Sequence, residues 1–119
     1  MAVELKPAHA RHELFLPFTL TIVTDSDDGV WKFFFAGLPV IATKVKIFYV
    51  QARNFMRENA DEYANEVSHL IFEQDRRISE HQHPEMLPVD LTEEVHLRVG
   101  DAIGIAYRRK LREIGLAYA

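Results

Sequence analysis

Apolar and polar side chains alternate between residues 14 and 22, with the apolar ones at the even positions. This two-residue period is typical of a strand with one buried face. The polar run Asp25–Gly29 predicts a turn, because short polar side chains bond to nearby backbone and glycine tolerates a positive φ. Further strands are predicted at Val30–Phe35 and at Lys44–Ala52. Consecutive antiparallel strands are the simplest arrangement of these segments.

The apolar pattern changes to steps of three and four residues at Tyr63, which indicates a long helix with a buried stripe. The stripe consists of Tyr63, Val67, Leu70, Ile71 and Ile78. Asp75 lies at the margin of this stripe. Because an unpaired buried charge is very costly, Asp75 needs a partner or contact with water. The candidates are Arg76 or Arg77, backbone donors, solvent and a metal ion.

Pro84 ends this helix, since proline lacks the backbone donor that a continuing helix needs. Alternation at Val95–Val99 predicts a short strand, and Asp101 is a suitable N-cap for a last helix that ends at Gly115. The chain is therefore predicted to be one α+β domain, residues 1–119, with a long helix packed across an antiparallel sheet. Its segments are an irregular lead-in at 1–12, antiparallel strands at 13–55, the long helix at 57–83, a short strand at 94–99 and a C-terminal helix at 101–115.

Composition narrows the functional classes. Hydrophobic residues make up 48% and charged residues 27% of the chain, which is ordinary for a globular protein. The formal net charge of -4, with both signs interspersed, argues against nucleic acid as a partner. The absence of cysteine excludes disulfides, a cysteine nucleophile and an iron–sulfur cluster held by this chain alone. No signal-peptide pattern and no apolar segment of membrane-spanning length occurs, so a cytoplasmic location without membrane association is expected.

Several segments, in order, resemble the C-terminal end of Rieske non-haem iron oxygenases. They are Phe72–Ile78, Pro84–Leu91 and Ile105–Leu111. The resemblance is to the vanillate O-demethylase and toluenesulfonate methyl-monooxygenase group of oxygenase components. It extends upstream through Gln51–Phe55 to Leu16–Thr19 and so covers about 100 residues. It implies part of a catalytic domain, with a long helix across a partial helix-grip, START-like sheet.

The resemblance implies roles for five residues. The family's mononuclear Fe(II) is held by two histidines and one carboxylate, and Asp75 matches the carboxylate. Asn54 lies where relatives line the substrate pocket with a polar side chain, although a turn residue at a strand end is an equal alternative. Phe33, Phe35 and Phe48 are candidates for the wall of an aromatic-substrate pocket or for ordinary core.

The chain also departs from the family. Without cysteine it cannot hold the Rieske cluster, and it has no histidine pair with the spacing of the family's iron ligands. His9 and His12 are interpreted as surface histidines. His81 and His83 are interpreted as solvated residues that complement the dipole at a helix end. One carboxylate alone does not make an iron site.

The favoured interpretation is the C-terminal portion of a Rieske-type oxygenase or O-demethylase catalytic domain, inactive alone. Its expected partners are the missing N-terminal half, which would bring the Rieske cluster and the histidine pair, or a second copy of the chain in a homo-oligomer. The complete system would include a reductase. One alternative is a non-catalytic helix-grip module that binds an apolar ligand. Another is a structural half-domain whose sheet edges pair with another chain.

Overall fold

The computed structural model describes residues 8–58, 61–97 and 99–116, and six elements of secondary structure follow one another there. The elements are β1 (Ala8–Phe15), β2 (Thr19–Ser26), β3 (Gly29–Ile41), β4 (Lys44–Arg53), α1 (Asp61–Glu80) and α2 (Ala102–Glu113). These four strands form one antiparallel sheet in the order β1-β2-β3-β4, so each strand pairs with the next one along the chain. The predicted α+β class and antiparallel sheet are confirmed.

The sheet begins earlier than the sequence pattern predicted. The irregular lead-in expected at residues 1–12 is wrong for residues 8–12, which belong to β1, while residues 1–7 lie outside the described part. Pairing with β2 along its whole length makes β1 a strand, although its own composition is mixed. Pro17 lies in the turn between β1 and β2, because proline has no N–H for a strand ladder. The alternating segment at 14–22 therefore divides between two strands.

The register of the strands defines two faces, because directly paired residues of antiparallel strands point to the same side of a sheet. Phe35 pairs with Tyr49. Both rings contact Phe72 of α1, and the side that they share is called the helix face. The opposite side is called the far face. The helix face carries Leu20, Ile22, Trp31, Phe33, Phe35, Tyr49 and Gln51, and the far face carries Thr21, Phe34, Phe48 and Val50.

The long helix α1 is shorter than predicted and presents a different side to the sheet. It spans Asp61–Glu80, and residues 57–58 and 81–83, which were also predicted to be helical, are not, while residues 59–60 lie outside the described part. Its buried residues are Ala64 and Ser68, whose small side chains permit a close approach of the helix to the sheet. The prediction of a buried stripe is wrong, apart from the half-buried Val67. The exposed members of the stripe are Tyr63, Leu70, Ile71 and Ile78.

The C-terminal helix is confirmed, but its predicted surroundings differ. Asp101 occupies the N-cap position without a side-chain capping bond. Its carboxylate instead accepts a hydrogen bond from the backbone N–H of Leu97 at 2.7 Å, which bends the preceding segment back towards the helix. The short strand predicted at 94–99 is therefore wrong for residues 94–97 and 99, while Arg98 lies outside the described residues. Neither α1 nor α2 combines the length and the apolar composition that crossing a bilayer requires.

Arg108 fixes α2 against the segment that precedes it. The side chain is buried, and its Nε donates a hydrogen bond to the carbonyl oxygen of Pro88 at 2.9 Å. Its Nη2 lies 2.6 Å from the carboxylate of Glu94. The neighbouring Val89 and Leu111 are buried hydrophobic residues. Arg108 thus joins α2 to two points of the 88–94 segment.

Tyr107 joins α2 to the sheet and gives a pH-dependent prediction. Its hydroxyl donates a hydrogen bond to the carbonyl oxygen of Pro17 at 2.8 Å, and burial raises the pKa of the phenol. Loss of this bond in Tyr107→Phe is expected to lower the free energy of unfolding by about 1 kcal/mol at neutral pH. Above the ordinary tyrosine pKa of about 10, the phenol ionises more readily in the unfolded chain. The wild type therefore loses stability relative to the variant as pH rises.

Urea unfolding of both proteins at neutral pH and near pH 10.5 measures this effect. The difference in unfolding free energy between wild type and Tyr107→Phe is expected to shrink at the higher pH. A difference that stays constant or widens would contradict the raised pKa of Tyr107.

Candidate functional site

Aromatic side chains on the helix face form the apolar part of the candidate site. Trp31, Phe33 and Phe35 alternate along β3 and stack in sequence, with ring centroids 5.3 and 5.7 Å apart; they are called the aromatic row. Phe72 of α1 meets Phe33, Phe35 and Tyr49 edge-on, at centroid distances of 6.1, 5.4 and 4.7 Å. Edge-to-face pairs of this kind contribute about 0.5 to 1.5 kcal/mol each beyond their burial. Phe72 therefore holds α1 to the sheet.

Gln51 provides a polar connection between the same elements. Its Oε1 accepts a hydrogen bond from Trp31 Nε1 at 3.1 Å and lies 3.1 Å from the hydroxyl of Ser68. Its Nε2 donates to Asn65 Oδ1 at 2.6 Å. The Ser68 hydroxyl is also 2.8 Å from the carbonyl oxygen of Ala64, so its one proton is shared between two acceptors. Gln51 was not predicted from the sequence to have this role. The signal that could have indicated it is a polar residue placed between apolar positions of a strand.

A cavity of about 160 Å³ lies beside the start of α1. It is lined by Trp31, Arg53, Met56, Tyr63, Ala64 and Val67. Its charged residue is Arg53, whose Nη1 lies 3.1 Å from Asp61 Oδ1. The cavity is large enough for a single small ring, since cavities of about 150 Å³ hold benzene.

The structure separates the aromatic residues that the sequence grouped together. Phe33 and Phe35 belong to the aromatic row, but Phe48 pairs with Ala36 and lies on the far face. The ammonium group of Lys46 is 5.2 Å from the centroid of the Phe48 ring. Phe48 does not share a cavity wall with the other two residues, because neighbouring positions of a strand point to opposite faces.

Asn54 holds the start of β3. Its Oδ1 accepts a hydrogen bond from the backbone N–H of Val30 at 2.7 Å, and its own N–H donates to the carbonyl oxygen of Val30 at 3.2 Å. Gly29 precedes Val30 with φ of 138°, and a Cβ at that position would overlap Asn54 Oδ1. These hydrogen bonds are those of a turn residue at a strand end, and a role of Asn54 in a substrate pocket stays a prediction.

Asp75 is exposed on α1, three residues beyond Phe72. Two positions that are three apart on a helix differ by about 60°, so Asp75 borders the side that meets the aromatic row. Of the alternatives considered for Asp75, pairing with Arg76 is not observed: Arg76 pairs with Glu73 at 2.9 Å and with Glu80 at 3.7 Å. By the same spacing Asp75 points within about 20° of the buried Ala64 and Ser68, so it lies on the sheet-facing side of α1, although it is exposed. The sequence had placed it at the margin of a stripe that is not buried.

The histidines do not gather around Asp75. Within the described ranges, no group of three or more histidine, aspartate or glutamate side chains is arranged to hold a metal ion. His9 and His12 are exposed and point to opposite faces of β1. His81 Nδ1 donates to the carbonyl oxygen of Arg77 at 2.6 Å, as expected at a helix end. The described residues therefore do not form a complete two-histidine, one-carboxylate site by themselves, and the ligand role of Asp75 stays a prediction.

Comparison with protein families matches residues 8–117 to the vanillate O-demethylase oxygenase C-terminal domain. The chain belongs to this family. The match includes the sheet and both helices, and it confirms the resemblance to the C-terminal part of a Rieske oxygenase. No curated protein and no solved structure matches the chain significantly.

Proposed function

We propose that this vanillate O-demethylase oxygenase C-terminal domain forms part of the catalytic domain of a Rieske-type aromatic oxygenase or O-demethylase. The observation that carries the proposal is the family match over residues 8–117. In this proposal α1 and the sheet are one part of a helix-grip fold. Asp75 supplies the carboxylate ligand of a mononuclear Fe(II), and its exposure leaves the oxygens accessible to an ion.

The remaining ligands come from outside the described residues. A two-histidine, one-carboxylate site needs two imidazoles, and the structure brings none of the described histidines into a metal-binding group. We assign them to an N-terminal catalytic portion that also carries the Rieske cluster, with a reductase as the electron source. Iron, when bound, supplies the oxygen chemistry for hydroxylation or oxidative demethylation of an aromatic compound. The described part alone is inactive in this proposal.

The substrate pocket is proposed to use the aromatic row near Phe72. Phe33 and Phe35 contact Phe72, which is less than one helical turn from Asp75. The cavity near Ala64 is three turns away, about 16 Å along α1, and so lies too far from Asp75 to hold a reacting atom. Phe33 and Phe35 are therefore the proposed wall, and Phe48 takes no part in it because it lies on the far face.

An experiment on a reconstituted complex tests this function. The chain is mixed with an N-terminal oxygenase portion that carries the Rieske cysteines and the histidine pair, and bound iron and oxygen consumption are measured. Asp75→Asn is expected to remove both, since the amide loses the charge of the ligand. Glu73→Gln removes a charge from the same helix and is expected to retain both. Equal iron content and turnover in the two variants would refute the ligand role of Asp75.

The cavity beside α1 supports a second candidate function, a module that binds a small apolar ligand. Such a ligand would stabilise the folded chain by mass action. Benzene or toluene is then expected to raise the melting temperature in the presence of a metal chelator. Filling the cavity by Ala64→Leu is expected to abolish this shift. No shift with saturating ligand in the wild type would remove the candidate.

A further inference from the structure

Gln51 of β4 contacts α1 at two positions that are three residues apart. Its Nε2 donates to Asn65 Oδ1 at 2.6 Å, and its Oε1 lies 3.1 Å from the hydroxyl of Ser68. Positions three apart on a helix differ by about 60° in direction around the axis. One side chain of the sheet therefore contacts α1 from two directions, and this restricts the rotation of the helix about its own axis.

Trp31 determines which way round the Gln51 amide lies. The indole Nε1 is 3.1 Å from Oε1, and an indole N–H can only donate. The amide oxygen must therefore face Trp31 and Ser68, and the amide NH2 group must face Asn65. Trp31 is itself stacked on Phe33 at 5.3 Å, so the orientation of the amide is set from within the sheet.

Asp75 points in nearly the same direction from α1 as Ser68. The two residues are seven apart, which corresponds to two helical turns less about 20° and to about 10.5 Å along the axis. A carboxylate about 5 Å from the axis moves by about 1.7 Å when the helix rotates by about 20°. Distances between a metal and its ligands vary by only about 0.2 Å. The rotation of α1 therefore decides whether the Asp75 carboxylate meets a given ion position.

We propose that Gln51 is a positioning residue for Asp75, because its amide sets the rotation of α1 and thereby the direction of the carboxylate. In this proposal, which rests on the ligand role proposed for Asp75, Gln51 touches neither iron nor substrate. Phe72 also holds α1 to the sheet, but apolar contact is non-directional, whereas hydrogen bonds weaken steeply when they are misaligned. The ring contacts therefore fix the distance of α1 from the sheet, and the amide fixes its rotation.

A nitroxide label at residue 75 measures this direction in the chain alone, without iron. The chain has no cysteine, so Asp75→Cys provides a single attachment site. Its electron paramagnetic resonance spectrum is expected to show one restricted population while Gln51 is present. Gln51→Met is expected to add a more mobile population, because α1 loses both contacts with the amide. Gln51→Glu is expected to restore the single population, since its carboxylate still accepts from Trp31 and Ser68 and the Asn65 amide can turn to donate.

Iron binding by the complex with an N-terminal oxygenase portion gives a second readout, with Asp75 intact. The iron dissociation constant is expected to rise about 10-fold in Gln51→Met, the size typical for loss of a group that orients a ligand. In Gln51→Glu it is expected to stay near the wild-type value. Arg108→Met is the control for lost stability, because it acts on α2 and the 88–94 segment and leaves Gln51 in place. It is expected to change neither the label spectrum nor the dissociation constant.

An unchanged label spectrum in Gln51→Met overturns the positioning role. A complex that needs Asp75 for iron but binds it equally well with Gln51→Met also overturns that role, and it leaves the proposed function intact. An equally large change in Arg108→Met would show that lost stability, and not rotation of α1, is the cause. If the wild-type complex binds no iron, the proposed function fails, and the role of Gln51 towards a ligand fails with it.

Discussion

Replacing Arg108 with methionine is expected to lower the free energy of unfolding by about 3 kcal/mol, because it breaks an almost buried ion pair. The side chains of Arg108 and Glu94 are only 11% and 18% exposed. Methionine would fill much of the same space but would leave the Glu94 carboxylate and the Pro88 carbonyl without their donor. A buried acceptor without a donor retains its full desolvation cost.

Arg109→Met is the matched control, since Arg109 is the exposed neighbour on the same helix. Its effect in urea unfolding is expected to stay within about 0.5 kcal/mol. The double variant Arg108→Met/Glu94→Gln is expected to be more stable than Arg108→Met, because it also removes the unpaired carboxylate charge. Equal losses from Arg108→Met and Arg109→Met would contradict the role of Arg108 in holding α2.

Replacing Phe72 with alanine is expected to cost about 2 to 3 kcal/mol of unfolding free energy, less than a fully buried phenylalanine because Phe72 is half-buried. The substitution removes three edge-on ring contacts that connect α1 to β3 and β4. Near-ultraviolet circular dichroism and urea unfolding together measure the loss of aromatic packing and of stability.

Ile78→Ala provides the comparison on the same helix. Ile78 belongs to the stripe that the sequence predicted to be buried, but the residue is 73% exposed. Its replacement is expected to change the unfolding free energy by no more than about 0.5 kcal/mol. A cost for Ile78→Ala as large as that for Phe72→Ala would show that α1 faces the sheet with the predicted stripe.

The local pattern was sufficient to predict three strands and both helices, because alternation and helical spacing are properties of short segments. It was insufficient for β1, which contains His9, Arg11 and Glu13 and becomes a strand through its pairing with β2. For residues 94–97 the error was the opposite, because a strand was predicted where none forms. It alternates as a strand does, but Asp101 binds the backbone N–H of Leu97 and bends the chain.

The orientation of α1 depends on distant partners that a helical pattern does not reveal. Gln51 and the aromatic row select the side of α1 that contains Ser68 and Phe72. Apolar residues recur at helical spacing on a different side of α1, and this spacing led to the prediction that their side is buried. Arg108 was missed for a similar reason, since its place in the run 108–110 is typical of a solvated helix end. The resemblance, and not the local pattern, identified Asp75 as a candidate ligand and Asn54 as a candidate pocket residue, and both roles stay predictions.

Iron analysis of the purified chain alone tests most directly the central claim that Asp75 is one ligand of a site completed from elsewhere. Wild type and Asp75→Asn are each incubated with Fe(II) without oxygen, desalted and measured for bound metal. Both proteins are expected to retain the same low, substoichiometric amount of iron. One iron per wild-type chain, lost in Asp75→Asn, would contradict the claim by showing that this chain builds a complete site around Asp75.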